Sequence, residues 1–152
     1  MWANKDDVRI LGMDVREEVV SMVDRGSIRT LGVHPHVLGD FRRMPFADGA
    51  FAQVMFDPPH LLNAWERGWL RKKYGVLNKE TWREDLRRGF QECWRVLAPL
   101  GTLVYKWNTC QVALAEVSPM FPDEPTFHTR VDRTHVFIFI KPGRKENNHD
   151  RA

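Results

Sequence analysis

Apolar and polar positions alternate along the chain in short blocks. Val8-Arg9-Ile10-Leu11-Gly12-Met13-Asp14 reads as a short strand that ends in an acid. From Glu18 to Val33, β-branched residues flank Asp24-Arg25-Gly26-Ser27, which predicts a hairpin about that turn. A helix over Glu17 to Val23 is the alternative pattern. Val37-Leu38-Gly39-Asp40 is another short strand closed by an acid. A turn-rich link from Met44 to Ala50 then leads into the apolar run Phe51-Ala52-Gln53-Val54-Met55-Phe56, which Asp57 closes.

Residues 61–78 lose this regularity. Trp65, Arg67, Trp69, Arg71, Lys72, Lys73 and Tyr74 mix aromatics and cations without a clean period. The expectation is a long loop with room for a short helix, and long loops in compact domains are usually functional or mobile. Thr81-Trp82-Arg83-Glu84 matches a capping box, with Thr81 as N-cap and Glu84 reaching back. The helix that follows would bury Leu86, Phe90, Trp94 and Leu97 and stop at Pro99, with Gly101 turning the chain. Leu103 to Trp107 is the next strand, ending at Asn108. Gln111 to Val117 reads as a short helix stopped by Pro119. Phe127 to Val131 and His135 to Ile140 read as a closing antiparallel pair around Asp132-Arg133. The polar segment 142–152 predicts a disordered, charged tail.

Strands alternating with helices predict an α/β fold with a mostly parallel, covered sheet and a C-terminal antiparallel pair. In such sheets ligands bind beyond the carboxyl ends of the strands. Asp14, Asp40, Asp57 and Asn108 each close a predicted strand and form a candidate constellation. Asp57-Pro58-Pro59-His60 is its most specific part. Proline fixes φ and carries no N–H, so this turn holds one carboxylate and free carbonyls in a rigid frame. That is an acceptor site suited to an exocyclic amino group such as that of adenine or cytosine.

Composition narrows the field. The chain has 152 residues, 43% of them hydrophobic, enough for one domain with a real core. No apolar stretch is long enough to span a membrane, and no signal-peptide pattern opens the chain. Cys93 and Cys110 make neither a disulfide framework nor a metal set, and a reducing cytoplasm is the expected location. His34-Pro35-His36 lacks the carboxylates or thiols that a metal site needs, so no metal is expected. A formal charge of +3 is compatible with nucleic acid without demanding it. The six tryptophans are either core anchors or, for one or two of them, stacking platforms for a planar ligand.

Asp57-Pro58-Pro59-His60 resembles the Asp/Asn/Ser-Pro-Pro-aromatic tetrapeptide of class I S-adenosylmethionine-dependent amino-methyltransferases that act on nucleobases. The segment from Asp40 to Phe51 is similar to the acidic turn and Pro-Phe stretch before the catalytic strand of that superfamily. The segment from Phe90 to Leu103 is similar to its helix–Pro–Gly–strand passage. Phe56-Asp57-Pro58-Pro59-His60-Leu61, Lys72-Lys73-Tyr74-Gly75 and Lys106-Trp107-Asn108 resemble small phage-type and prophage-type members. The likeness runs over roughly residues 8–141, the expected extent of the catalytic domain. It implies a Rossmann-like sheet, S-adenosylmethionine as cofactor, and methyl transfer to a base amino group, DNA adenine N6 first. By resemblance, Asp57 and the Pro58 carbonyl would take the two N–H bonds of the amine. Pro59 would hold the turn and His60 would stack on the base, where the family usually has Tyr, Phe or Trp. Asp14 would meet the cofactor ribose, and Asp40 with Phe41 its adenine. Lys72 and Lys73, with Arg71, would contact phosphates, and Asn108 would contact substrate. The family's first strand and glycine-rich turn have no counterpart before Val8. That strand would lie centrally, between those ending at Asp14 and Asp57. The expectations are a start upstream of Met1, a shortened copy, or a sheet closed in another way. The rival functions are methyl transfer to RNA or a small molecule, and an inactive accessory module that binds nucleic acid or a protein partner.

Overall fold

A computed structural model describes residues 7–24, 26–65 and 68–143 of the chain. Arg25 of the expected hairpin turn, Arg67 of the loop, and the expected tail beyond Gly143 lie outside the described residues. The structure is α/β with mixed strand pairing. Strands β1 (Met13–Asp14) and β4 (Val37–Leu38) form a parallel pair. Strands β2 (Glu18–Asp24) and β3 (Ser27–Val33) form the expected hairpin, so the helical alternative does not apply. A four-stranded sheet combines β5 (Phe51–Phe56), β6 (Leu97–Asn108), β7 (Phe127–Val131) and β8 (Thr134–Ile140) in the order β5-β6-β8-β7. Within it β5 and β6 are parallel, while β8 is antiparallel to both β6 and β7. The closing antiparallel pair is where alternation put it, with Asp132 at the turn in a left-handed conformation, φ 54°.

One long helix covers this sheet. Helix α2 spans Trp82–Val96, after the short α1 (Trp69–Tyr74). Helix α2 buries Trp82, Leu86, Phe90, Cys93 and Val96. The first four meet Leu103, Tyr105 and Trp107 of β6 and Phe137 and Phe139 of β8 in one core. A four-residue helix α3 (Leu114–Val117) runs into a 3₁₀ turn, Ser118–Met120, and adds Val117 and Met120 to it. The segment ahead of β5 is fastened to α2 by polar contacts. Met44 N–H donates to Glu92 at 2.7 Å, and Arg95 donates to the Phe46 and Met44 carbonyls at 2.7 and 3.1 Å. These bonds fix where β5 enters the sheet and hence where Asp57 leaves it.

Several boundaries differ from expectation for local reasons. Strand β1 begins at Met13 rather than Val8, because the Gly12 N–H donates to the His36 ring at 2.9 Å instead of to a ladder. The capping box at Thr81 is not formed. Thr81 itself sits in the right-handed helical region, and its hydroxyl donates to Asp85 at 2.7 Å. Glu84 pairs with Arg87 instead of reaching back. Asn78 does the work of the helix entry, accepting from the Glu80 N–H at 2.8 Å and the Thr81 N–H at 3.3 Å. Helix α2 stops at Val96, and Leu97 already belongs to β6, which runs through Pro99 and Gly101. Trp94 is only partly buried. Helix α3 ends at Val117 as expected, and Pro119 sits in the first turn of the 3₁₀ segment that follows, where its missing N–H costs nothing.

Gly89 shows how closely α2 lies on the end of β5. A Cβ there would sit 2.7 Å from both Phe41 Cδ2 and Phe56 Cζ. Alanine gains about 1 kcal/mol of helix propensity over glycine. Overpacking costs about 1–3 kcal/mol, and a clash with two rings falls at the upper end of that range. Gly89→Ala is therefore expected to lower unfolding stability by about 1–2 kcal/mol. Urea denaturation checks the sign, and a stabilised variant would refute the close approach.

Candidate active site

Phe56 is buried and Asp57 is exposed, the first residue after β5. Because strand side chains alternate, the carboxylate faces away from α2. It meets Lys106, whose Nζ donates to Asp57 Oδ2 at 2.7 Å. The Asp57 side chain keeps 45% of its exposure, so this is a surface ion pair rather than a buried one. Such pairs contribute about 0–1 kcal/mol to stability. Among the described residues Asp57 Oδ1 has no hydrogen-bond donor.

Pro58 is buried, while Pro59 and His60 are half-buried. Helix α1 is docked against this turn. Its C-cap Gly75 has φ 73°, and a Cβ there would lie 3.2 Å from Pro59 Cγ. The Tyr74 ring lies 5.2 Å from the His60 ring, tilted by 55°. Trp107 presents its ring nearly at right angles to His60, at 6.5 Å. His60 thus stands half-buried in an aromatic corner. Lys72 and Lys73 are brought to the same corner on α1, with Lys73 Nζ 4.9 Å from the Tyr74 ring centre.

Two strand-end acids are already engaged. Asp14 Oδ1 accepts from the Arg16 N–H at 2.9 Å and from Arg16 Nε at 3.1 Å, and Oδ2 accepts from Arg16 Nη2 at 3.2 Å. Arg16 also donates to the Lys72 carbonyl at 2.8 Å, which ties the end of β1 to α1. Asp40 accepts four bonds from Arg42, and Arg42 reaches on to Asp85 of α2 at 3.0 Å. A carboxylate offers about four acceptor positions. Asp14 keeps one of them, and Asp40 keeps none while Arg42 holds it. Phe41 rests its ring on Phe56, centroids 5.4 Å apart. Asn108 is consumed by its turn, its Nδ2 donating to Thr134 Oγ1 at 3.0 Å and its Oδ1 accepting the Cys110 N–H at 3.0 Å.

Three groups missed by sequence reasoning matter here. Lys106 lies on the Asp57 face of β6, a position readable only from the register of β5 against β6. Arg16 supplies the link from β1 to α1. Tyr105 is fully buried, and its hydroxyl has no hydrogen-bond partner among the described residues. Burial first, and the Asp57 charge second, push that phenol up, so it stays protonated. Among the described residues no group of three or more His, Cys, Asp or Glu side chains could hold a metal ion. No helix among them is long and apolar enough to cross a membrane. In comparisons with known proteins, no family model matches the chain and no curated protein matches it.

Burial pulls the His60 imidazole below the ordinary histidine value of 6.5. Lys106 adds to the depression and Asp57 opposes it. His135, stacked on His128, is lowered too, by burial first and then by His128 and Arg130. The unfolded chain therefore binds these protons more readily than the folded one. Stability is expected to be held above about pH 6.5 and to fall as pH drops below it. His60→Phe should remove part of this acid sensitivity and leave the part due to His135. Denaturation midpoints measured on both sides of that pH, with the imidazole titrations followed by NMR, check this. A His60 midpoint above 6.5 would contradict it.

Proposed function

We propose that this chain is a class I methyltransferase-like domain that transfers a methyl group from S-adenosylmethionine to a nucleobase amino group, with DNA adenine N6 the first substrate to test. The observation that carries this reading is the tetrapeptide at the end of β5. There a half-exposed carboxylate has one oxygen without a donor among the described residues, and a half-buried imidazole stands in an aromatic corner beside it. The strand arrangement supports a Rossmann-like lineage. Parallel β1–β4 stands apart from parallel β5–β6, which β8 and β7 extend antiparallel. Among the described residues no strand pairs with the other edge of β5. The resemblance expects a strand with a glycine-rich turn between those that end at Asp14 and Asp57, and among the described residues no pairing joins β1–β4 to the four-stranded sheet.

The cofactor's donor groups fit these residues in part. Asp14 retains one acceptor position for a ribose hydroxyl, and the Phe41 ring is half-buried and available to an adenine. Asp40 fits an adenine amino group only if Arg42 lets go and keeps its bond to Asp85. When bound, S-adenosylmethionine supplies an electrophilic methyl group on a sulfonium sulfur. The protein's part is positioning and electrostatics. Asp57 Oδ1 accepts one N–H of the amine, and the Pro58 carbonyl accepts the other. Holding both bonds draws the nitrogen lone pair out of the ring, where it is otherwise delocalised. Lys106 holds the carboxylate through its second oxygen. His60, neutral near pH 7 by the direction of its shift, stacks on the base after the base has left its helix. Lys72 and Lys73 contact phosphates from α1.

Asp57→Ala is expected to abolish transfer of labelled methyl to DNA, while cofactor affinity measured by calorimetry changes little. Retained turnover would remove Asp57 from the mechanism. His60→Phe should keep most of the rate, since stacking needs only a ring. A collapse in rate would reassign His60 to hydrogen bonding. Running duplex DNA, RNA and free nucleosides side by side separates the DNA reading from RNA and small-molecule acceptors.

A further inference from the structure

A cleft lies on the loop that follows the tetrapeptide. Its volume is about 390 Å³, and its lining includes Asn63, Trp65, Arg71 and Lys79. No carboxylate is among the described residues that line it. The Trp65 indole is 90% exposed, an unusual position for the largest apolar side chain. Arg71 and Lys79 are exposed and form no ion pair among the described residues. Yet the backbone beneath is held firmly. Gln111 Oε1 accepts the Leu62 and Asn63 N–H groups at 2.7 and 2.8 Å, and Gln111 Nε2 donates to the Asn63 carbonyl at 2.8 Å. Leu77 N–H donates to the Leu61 carbonyl at 2.8 Å, and both of these leucines are buried. A fixed floor, an exposed aromatic face and two cations that have neither an ion pair nor a neighbouring acid among the described residues suit a ligand that is both planar and anionic.

We propose that this cleft binds a single-stranded stretch of nucleic acid next to the target base, with one base stacked on Trp65 and neighbouring phosphates on Arg71 and Lys79. The choice of ligand rests on the function proposed above. A strand with its bases exposed fits better than a paired duplex, because a base inside the stack offers no face to an indole. The lining starts at Leu62, two residues past His60, so the cleft can grip the strand that carries the target.

The test uses fluorescein-labelled oligothymidylate and anisotropy with the full chain. Thymine has no exocyclic amino group, so the acceptor site at Asp57 cannot account for its binding. Trp65→Ala is expected to weaken binding by about tenfold, and Trp65→Phe to restore most of it. The double variant Arg71→Ala/Lys79→Ala should flatten the plot of log affinity against log salt by about 1.4, roughly 0.7 for each single-strand phosphate that is no longer neutralised. Oligouridylate in a parallel arm tells RNA from DNA as the source, and Trp65-dependent binding of either supports the cleft. No binding by the wild-type chain at low salt, or equal binding and equal salt slopes in all variants, overturns the proposal. Trp65-dependent binding without methyl transfer keeps the cleft and sinks the catalytic reading. Methyl transfer that is indifferent to Trp65, Arg71 and Lys79 does the reverse.

Discussion

The site depends on one row of rings. Phe56 on β5, Tyr105 on β6 and Phe137 on β8 stand opposite one another in register. Their centroids are 5.8 and 6.1 Å apart, and Phe90 of α2 closes on Tyr105 at 4.7 Å. Sheet side chains alternate, so fixing these rings toward α2 fixes Asp57 and Lys106 on the opposite face. A slip of one residue would bury the carboxylate and expose the rings. The cost of that exchange, about 1.5–3 kcal/mol for each apolar side chain exposed, far exceeds what the surface ion pair returns. The Asp57–Lys106 contact is thus a consequence of aromatic packing and not its cause.

The same logic explains how separate elements reach one corner. Helix α1 has no buried residue of its own and cannot be held by the core. It is held instead by Gly75 lying against Pro59, by Tyr74 beside His60, and by the Arg16 bond to the Lys72 carbonyl. A rigid turn of two prolines gives such a short helix something firm to rest on. The acids at the strand ends carry a partner each: Arg16 on Asp14, Arg42 on Asp40, Lys106 on Asp57. All three carboxylates are kept ordered and locally neutralised. A ligand that uses them must add to an existing bond at Asp14 and Asp57, and replace one at Asp40.

Alternation revealed β5, the β2–β3 hairpin and the β7–β8 pair, because each has one face turned inward or a turn that forces φ positive, as Gly26 and Asp132 do. The strand-end acids were legible for the same reason. Most of what stayed hidden involves partners distant in sequence, the entry to α2 being a local exception. Gly12 gives its N–H to His36 and so starts β1 late. Thr81 looks like a cap, but Asp85 takes its hydroxyl and Asn78 caps in its place. The early onset of β6 at Leu97 comes from its neighbour β5, since Phe51 pairs with Leu97 across a register shift. Lys106 was visible as a residue, yet its meeting with Asp57 needs the parallel register. Asp40 and Asn108 read as ligand groups at strand ends, yet their bonds in this structure are those of turn residues.

On the proposed function the ion pair solves a problem of charge. Nucleic acid is a polyanion, and a bare carboxylate at the point of contact would repel it. Two unit charges at 4 Å interact by about 1 kcal/mol in water and several times that where water is thin. Salt screens such repulsion fully only beyond about 8–10 Å. Lys106 at 2.7 Å cancels the charge of Asp57 as seen by the phosphates. At hydrogen-bond range the cancellation fails, because the free Oδ1 still faces an incoming N–H directly. The pair is therefore neutral to the backbone and an acceptor to the amine. That is the combination a site needs if it must bind a polyanion and grip an amino group with a carboxylate.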